Sequence, residues 1–193
     1  MMKIPNGFVK LDSLSIKEYR EFMKYEKILY QSVDYIQDNL INKDVTIETN
    51  NTKLNLNFQG INIPHLFGLY QHGGSARLWA DLKKHSLRVD KVCVKKDRST
   101  LLKISAMQSI QELFEGECRL TKSGVYQKVR FERGLRTGKM ILMVGFDHDG
   151  NGIAYPKTAL NLKRLNVEKG EIVKTIYTQD KKTKEIKVLK AVL

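Results

Sequence analysis

The sequence predicts an α+β fold in which N-terminal helices and a middle helix pack on a mainly antiparallel β-sheet. Apolar residues recur at helical spacing from about Ile16 to Leu40 and again from Leu101 to Phe114. Short alternating segments then fill the second half of the chain. They follow one another without the crossover helices that a parallel sheet demands, which favours antiparallel pairing.

In chain order, Ser15 is an N-cap candidate, and Glu18 stands three residues later, as a capping box requires. Tyr19, Phe22, Leu29, Val33, Ile36 and Leu40 then mark one apolar face, in one or two helical pieces. Val45–Thr49 and Lys53–Phe58 alternate on either side of Asn50-Asn51-Thr52, which reads as a hairpin. Gly60 permits a turn, and Pro64, with its fixed φ and missing amide hydrogen, suits the first turn of a helix that would carry His65. If that helix ran on, His72 would share its face with His65, although a histidine beside Gly73-Gly74 is more often an exposed cap. A short helix around Trp79 follows, and then a helix from about Asp97 to Gly116.

Two strands are expected from Tyr126 to Arg133 and from Lys139 to Phe146, joined by a turn over Gly134–Gly138. With Val129 and Phe131 facing the core, Lys128 and Arg130 would lie together on the outer face, within reach of a phosphate. Asp147–Gly152 has the start of a calcium loop, but its twelfth position is Thr158 and no helices flank it, so it reads as a metal-free hairpin turn. Glu171–Thr178 and Glu185–Lys190 form a final hairpin with a basic face.

At 193 residues, 41% hydrophobic and 28% charged, the chain is suited to one globular domain with a sizeable core. No apolar run approaches the about 20 residues of a membrane helix. The beginning, Met1–Gly7, lacks the apolar core of a signal peptide, so a cytoplasmic location is expected. Cys93 and Cys118 form no zinc-type or redox pair. The net charge of +13 is the strongest compositional signal, because cations that neutralise phosphates release condensed counterions, which makes nucleic acid the leading partner. Walker, GxSxG and dinucleotide-binding motifs do not occur, nor does an acidic cluster suited to two metal ions.

Asn62-Ile63-Pro64-His65-Leu66-Phe67-Gly68-Leu69 resembles the histidine-leucine-x-glycine-leucine element of phage and mobile-element nucleases of the barnase/EndoU/colicin/RelE-like class, called BECR. Gly152-Ile153-Ala154-Tyr155-Pro156-Lys157-Thr158-Ala159-Leu160 resembles the tyrosine-proline-lysine-serine/threonine segment near the end of the same domain. The resemblance implies a BECR-like nuclease domain over residues 44–193, after an N-terminal helical extension over residues 1–43. It implies a metal-independent endoribonuclease without a cofactor, a toxin or a product of phage and host conflict, in which the ribose 2′-hydroxyl attacks the phosphate. In that reading His65 carries a proton, Lys157 stabilises the transition state and Thr158 bonds a phosphate oxygen. Tyr155 of the second motif would contact substrate, as would Arg130, Arg133 and Lys128, which rest on strand alternation alone, and His72, which rests on its helical spacing from His65. RNA is the expected partner, and an acidic inhibitor protein would suit the basic surface. The alternative from another class is a basic nucleic-acid-binding protein that retains the fold without catalysis.

Overall fold

The computed structural model of the protein describes residues 4–126, 129–163 and 165–192. In chain order these comprise β1 (Phe8–Lys10), α1 (Ile16–Met23), α2 (Glu26–Asn39), β2 (Lys43–Glu48), β3 (Lys53–Asn57), α3 (Ile63–Phe67), β4 (Tyr70–Gln71) and α4 (Ser75–Lys83). Then come β5 (Val92–Lys95), α5 (Ser99–Met107), α6 (Ile110–Glu115), β6 (Cys118–Thr121), β7 (Gly124–Tyr126), β8 (Val129–Phe131) and β9 (Arg133–Thr137). The last strands are β10 (Leu142–His148), β11 (Ala154–Asn161), β12 (Glu171–Ile172), β13 (Thr175–Asp180) and β14 (Ile186–Ala191).

The large sheet has the order β12-β6-β9-β10-β11-β3-β2-β13-β14. Every pairing in it is antiparallel except β11 with β3, which meet in parallel at Ala154 and Leu56. The protein is therefore an α+β fold of helices on a mostly antiparallel sheet. Val45, Ile47, Leu56, Val144, Phe146 and Ala159 join the helical residues Leu29, Val33, Ile36, Ile104 and Phe114 in one core. Phe131, Met143, Leu160, Leu162 and Val167 form a smaller cluster. β10 sends residues into both, which explains its nearly continuous apolar sequence.

The N-terminal helices form as their capping signals dictate. Ser15 and Glu18 complete a reciprocal capping box, and α1 and α2 divide the apolar face between them. Phe22, Leu29, Val33, Ile36 and Leu40 all lie in the same core as the large sheet. Among the described residues no helix is long and apolar enough to cross a membrane.

Four sequence expectations need correction. Gly134–Gly138 is not a turn: Arg133–Thr137 is the strand β9, paired with both β6 and β10. Gly134 serves close packing there, since a Cβ would stand 2.7 Å from Thr121 Oγ1 and 3.0 Å from Met143 Sδ. Tyr126–Arg133 is not one strand: Tyr126 in β7 pairs antiparallel with Val129 in β8, Arg133 begins β9, and residues 127–128 lie outside the described residues. The expected long helix after Asp97 breaks between Met107 and Ile110, where the Ser32 hydroxyl donates to the Met107 carbonyl at 3.0 Å. Glu171–Thr178 is divided between β12 on β6 and β13 on β2. A second sheet, β1-β5-β4, was not expected; its strands are short and distant in sequence.

Candidate active site

The two family-like elements face each other because the parallel contact between β11 and β3 is so short. Beyond Ala154 and Leu56 the chain of β3 turns away through a 3-10 turn, Gly60–Asn62, into α3. α3 and α5 then pack against β11. Pro64 occupies the first turn of α3, and Gly68 ends the helix at φ +69°, a left-handed conformation that glycine adopts without a Cβ penalty. Gly68 also permits a close approach, since a Cβ would lie 3.3 Å from both Lys103 Cδ and Thr100 Oγ1. Thr100 locks the junction: its hydroxyl donates to the Gly68 carbonyl at 2.8 Å and accepts from the Lys95 amide at 2.9 Å.

Lys103 is the side chain on which this junction converges. Its ammonium donates to the His65 carbonyl at 3.4 Å and to the Thr158 hydroxyl at 3.5 Å. One amine thus bridges the histidine element and the lysine-threonine element. A cation at the C-terminal end of α3 is also favourable for the helix dipole. Lys103 forms no ion pair with a described residue. Burial, assisted by the charge of Lys95 and opposed by Asp97, brings its pKa down to about 8. A half-buried cation without a carboxylate partner is costly, and an incoming phosphate would supply the missing counter-charge.

Of the sequence-predicted residues, His65 is exposed on α3, while Thr158 is only 3% exposed, with its hydroxyl toward Lys103. Lys157 and Tyr155 are exposed on β11. The pairing of β10 with β11 skips Lys157, as Gly145 lies opposite Thr158 and Phe146 opposite Pro156. Such a bulge re-aims a side chain, and the Lys157 ammonium turns to the Asp147 carboxylate in an ion pair. Its charge is therefore shared before any substrate arrives. His72 lies beyond the end of α3, in the turn after β4, so it does not extend the helical face of His65. Arg130 is exposed on β8, in the separate β7–β8 pair, and Arg133 is half-buried at the start of β9, whereas Lys103 on α5 meets β11. Lys128 lies outside the described residues.

Sequence reasoning missed Lys103. The available signal was a lone lysine inside the apolar run Leu101-Leu102-Lys103-Ile104. It also missed His148, whose Nδ1 meets the Glu132 carboxylate at 2.5 Å. That contact holds the Glu132 carboxyl below its ordinary range. A carboxylate on one ring nitrogen fixes the ring and its tautomer. Among the described residues no three His, Cys, Asp or Glu side chains are grouped to hold a metal ion.

Helices packed on a curled, mostly antiparallel sheet make an α+β fold consistent with a BECR-class nuclease. The chain belongs to the family described as phage-Barnase-EndoU-ColicinE5/D-RelE like nuclease 4, whose model matches residues 28–191. Searches of curated proteins and of solved structures found no match to the chain.

Proposed function

We propose that the protein is a metal-independent endoribonuclease that cleaves RNA by attack of a ribose 2′-hydroxyl on the adjacent phosphate. The observation that carries this reading is the Lys103 ammonium between the His65 carbonyl and the Thr158 hydroxyl. It supplies a cation without a carboxylate partner among the described residues, held against the helix that carries His65, and charge build-up on phosphorus calls for such a cation. His65 transfers a proton, Lys103 holds the phosphate, and Lys157 adds a second cation once the phosphate competes with Asp147. Thr158 is a positioning residue for Lys103, since its hydroxyl is buried. Arg130, Arg133 and His72 lie further out, where they draw the RNA strand to the protein by its phosphates. The reaction needs no cofactor. The setting is conflict in the cytoplasm between mobile elements and hosts, and an acidic inhibitor would keep such a surface silent.

One observation favours a second reading, a binding protein without catalysis: Lys157 is already neutralised by Asp147. Incubation of wild-type protein with mixed-sequence RNA in EDTA separates the two. Cleavage with 2′,3′-cyclic phosphate ends supports the enzyme, and intact RNA at saturating protein supports the binding module.

A further inference from the structure

We propose that a pocket beside the candidate active site takes one unpaired nucleobase of the RNA strand, and that it favours bases carrying an amino group over uracil. The proposal rests on the RNA substrate assigned above. The pocket has a volume of about 250 Å³ and lies between the two family-like elements. Asn57, Gln59 and Asn62 line one side, and Asp149, Ile153 and Tyr155 line the other. Asn62 stands three residues before His65 and Tyr155 two before Lys157, so an occupant sits next to the groups assigned to the phosphate.

The chemistry of the walls selects the occupant. Asn57, Gln59 and Asn62 come from the end of β3, the linker and the 3-10 turn, and none of their side-chain amides bonds a described residue. Each offers a donor and an acceptor side by side, the pattern that pairs with a base edge. Asp149 Oδ1 accepts from the Asn151 and Ile153 amides at 2.9 Å each, which fixes the carboxylate and leaves Oδ2 without a donor among the described residues. Tyr155 is 37% exposed and Ile153 40%, giving flat surface against which a base can lie. No lysine or arginine lines the pocket. A phosphate therefore meets no cation inside it and faces the Asp149 carboxylate, whereas Lys157 and Lys103 stand outside. The acceptor on Asp149 matches the amino groups of adenine, cytosine or guanine, whereas the one donor on uracil's edge, N3–H, is flanked by two carbonyl oxygens that a carboxylate repels.

The test measures binding and not cleavage. Short single-stranded 2′-fluoro RNAs of A, C or U, which lack the attacking hydroxyl, are titrated with the full chain by fluorescence anisotropy. Uracil strands are expected to bind about fivefold or more weakly than the others, the lower end of what one good paired contact gives. Asn62→Ala and Tyr155→Leu should lower A and C to the level of U while melting temperatures stay near wild type. Equal affinity for all three strands overturns the proposal, as does discrimination that survives both substitutions. A protein that discriminates bases but cuts no RNA would refute the assigned activity and leave the pocket standing; one that cuts without discrimination would do the reverse.

Discussion

Lys103 and Thr158, on α5 and β11, meet with the ammonium 3.5 Å from the hydroxyl, and the same ammonium reaches the carbonyl of His65. The pair joins parts of the chain that local sequence patterns treat as unrelated. It also places an amine where burial opposes its charge.

The first prediction concerns stability. The Lys103 pKa is about 8 in the folded protein against an ordinary lysine value of 10.5, so below pH 8 both states hold the proton and the fold carries the whole cost of burying it. Between these values the unfolded chain binds more protons, and stability rises with pH. Lys103→Met should therefore stabilise the protein at pH 7, by on the order of 3 kcal/mol at most. That gain should shrink toward pH 10.5. Urea melts of both proteins across this range check it, and a pH-independent difference would contradict the burial argument.

The same substitution should cost activity. If the charged amine holds the phosphate, Lys103→Met loses about a hundredfold or more in rate, the size found when one preorganised donor is removed. Lys103→Arg should retain part of the rate and flatten the decline above pH 8, since a guanidinium stays charged there. Rate profiles from pH 6 to 10 distinguish this from a structural role, which would leave the alkaline limb unchanged.

Much of the fold was legible because its signals are local. The capping box at Ser15, the alternation in β2 and β3 on either side of Asn50-Asn51-Thr52, and Pro64 at the start of α3 each act within a few residues. What was not legible depends on distant partners. Gly134 reads as a turn residue until Thr121 and Met143 are found against it. Arg136 is 5% exposed because its guanidinium donates to the carbonyls of Thr137, Glu168 and Lys169, partners that alternation cannot reveal. At the site, His65, Lys157 and Thr158 came from the two motifs. Lys103 could not, because its meaning arises only when α5 lies against both.

Gly60→Ala should destabilise the protein without touching the proposed chemistry. A Cβ at residue 60 would stand 2.2 Å from Trp79 Cδ1, so the indole or the backbone must move. Overpacking of this kind costs about 1–3 kcal/mol. Thermal melting checks it, with a lowered midpoint expected and RNA binding retained at low temperature.

RNA affinity should fall steeply with salt. The net charge of +13 acts mainly through phosphates, and each neutralised phosphate of a single strand contributes about 0.7 to the slope of log affinity against log salt. Anisotropy between 50 and 300 mM salt, concentrations at which screening is already strong, should show a slope of several units. A flat response would remove phosphate contact as the basis of binding.

The two histidines in play make different predictions. His148 is held by Glu132, and His65 has no side-chain partner among the described residues. If His65 carries the proton, His148→Ala leaves the rate within a few-fold of wild type. A loss in His148→Ala equal to that in His65→Ala would place both rings in the reaction.

The measurement closest to the central claim compares wild type with His65→Ala and Lys157→Ala on mixed-sequence RNA in EDTA, with melting curves to establish folding. Wild type should cleave and leave 2′,3′-cyclic phosphate ends, while a strand with a 2′-deoxy residue at the scissile position resists. Each substitution should slow cleavage by about a hundredfold to ten-thousandfold while RNA binding persists. Cleavage by His65→Ala at the wild-type rate, or cleavage of the 2′-deoxy strand, would contradict the account.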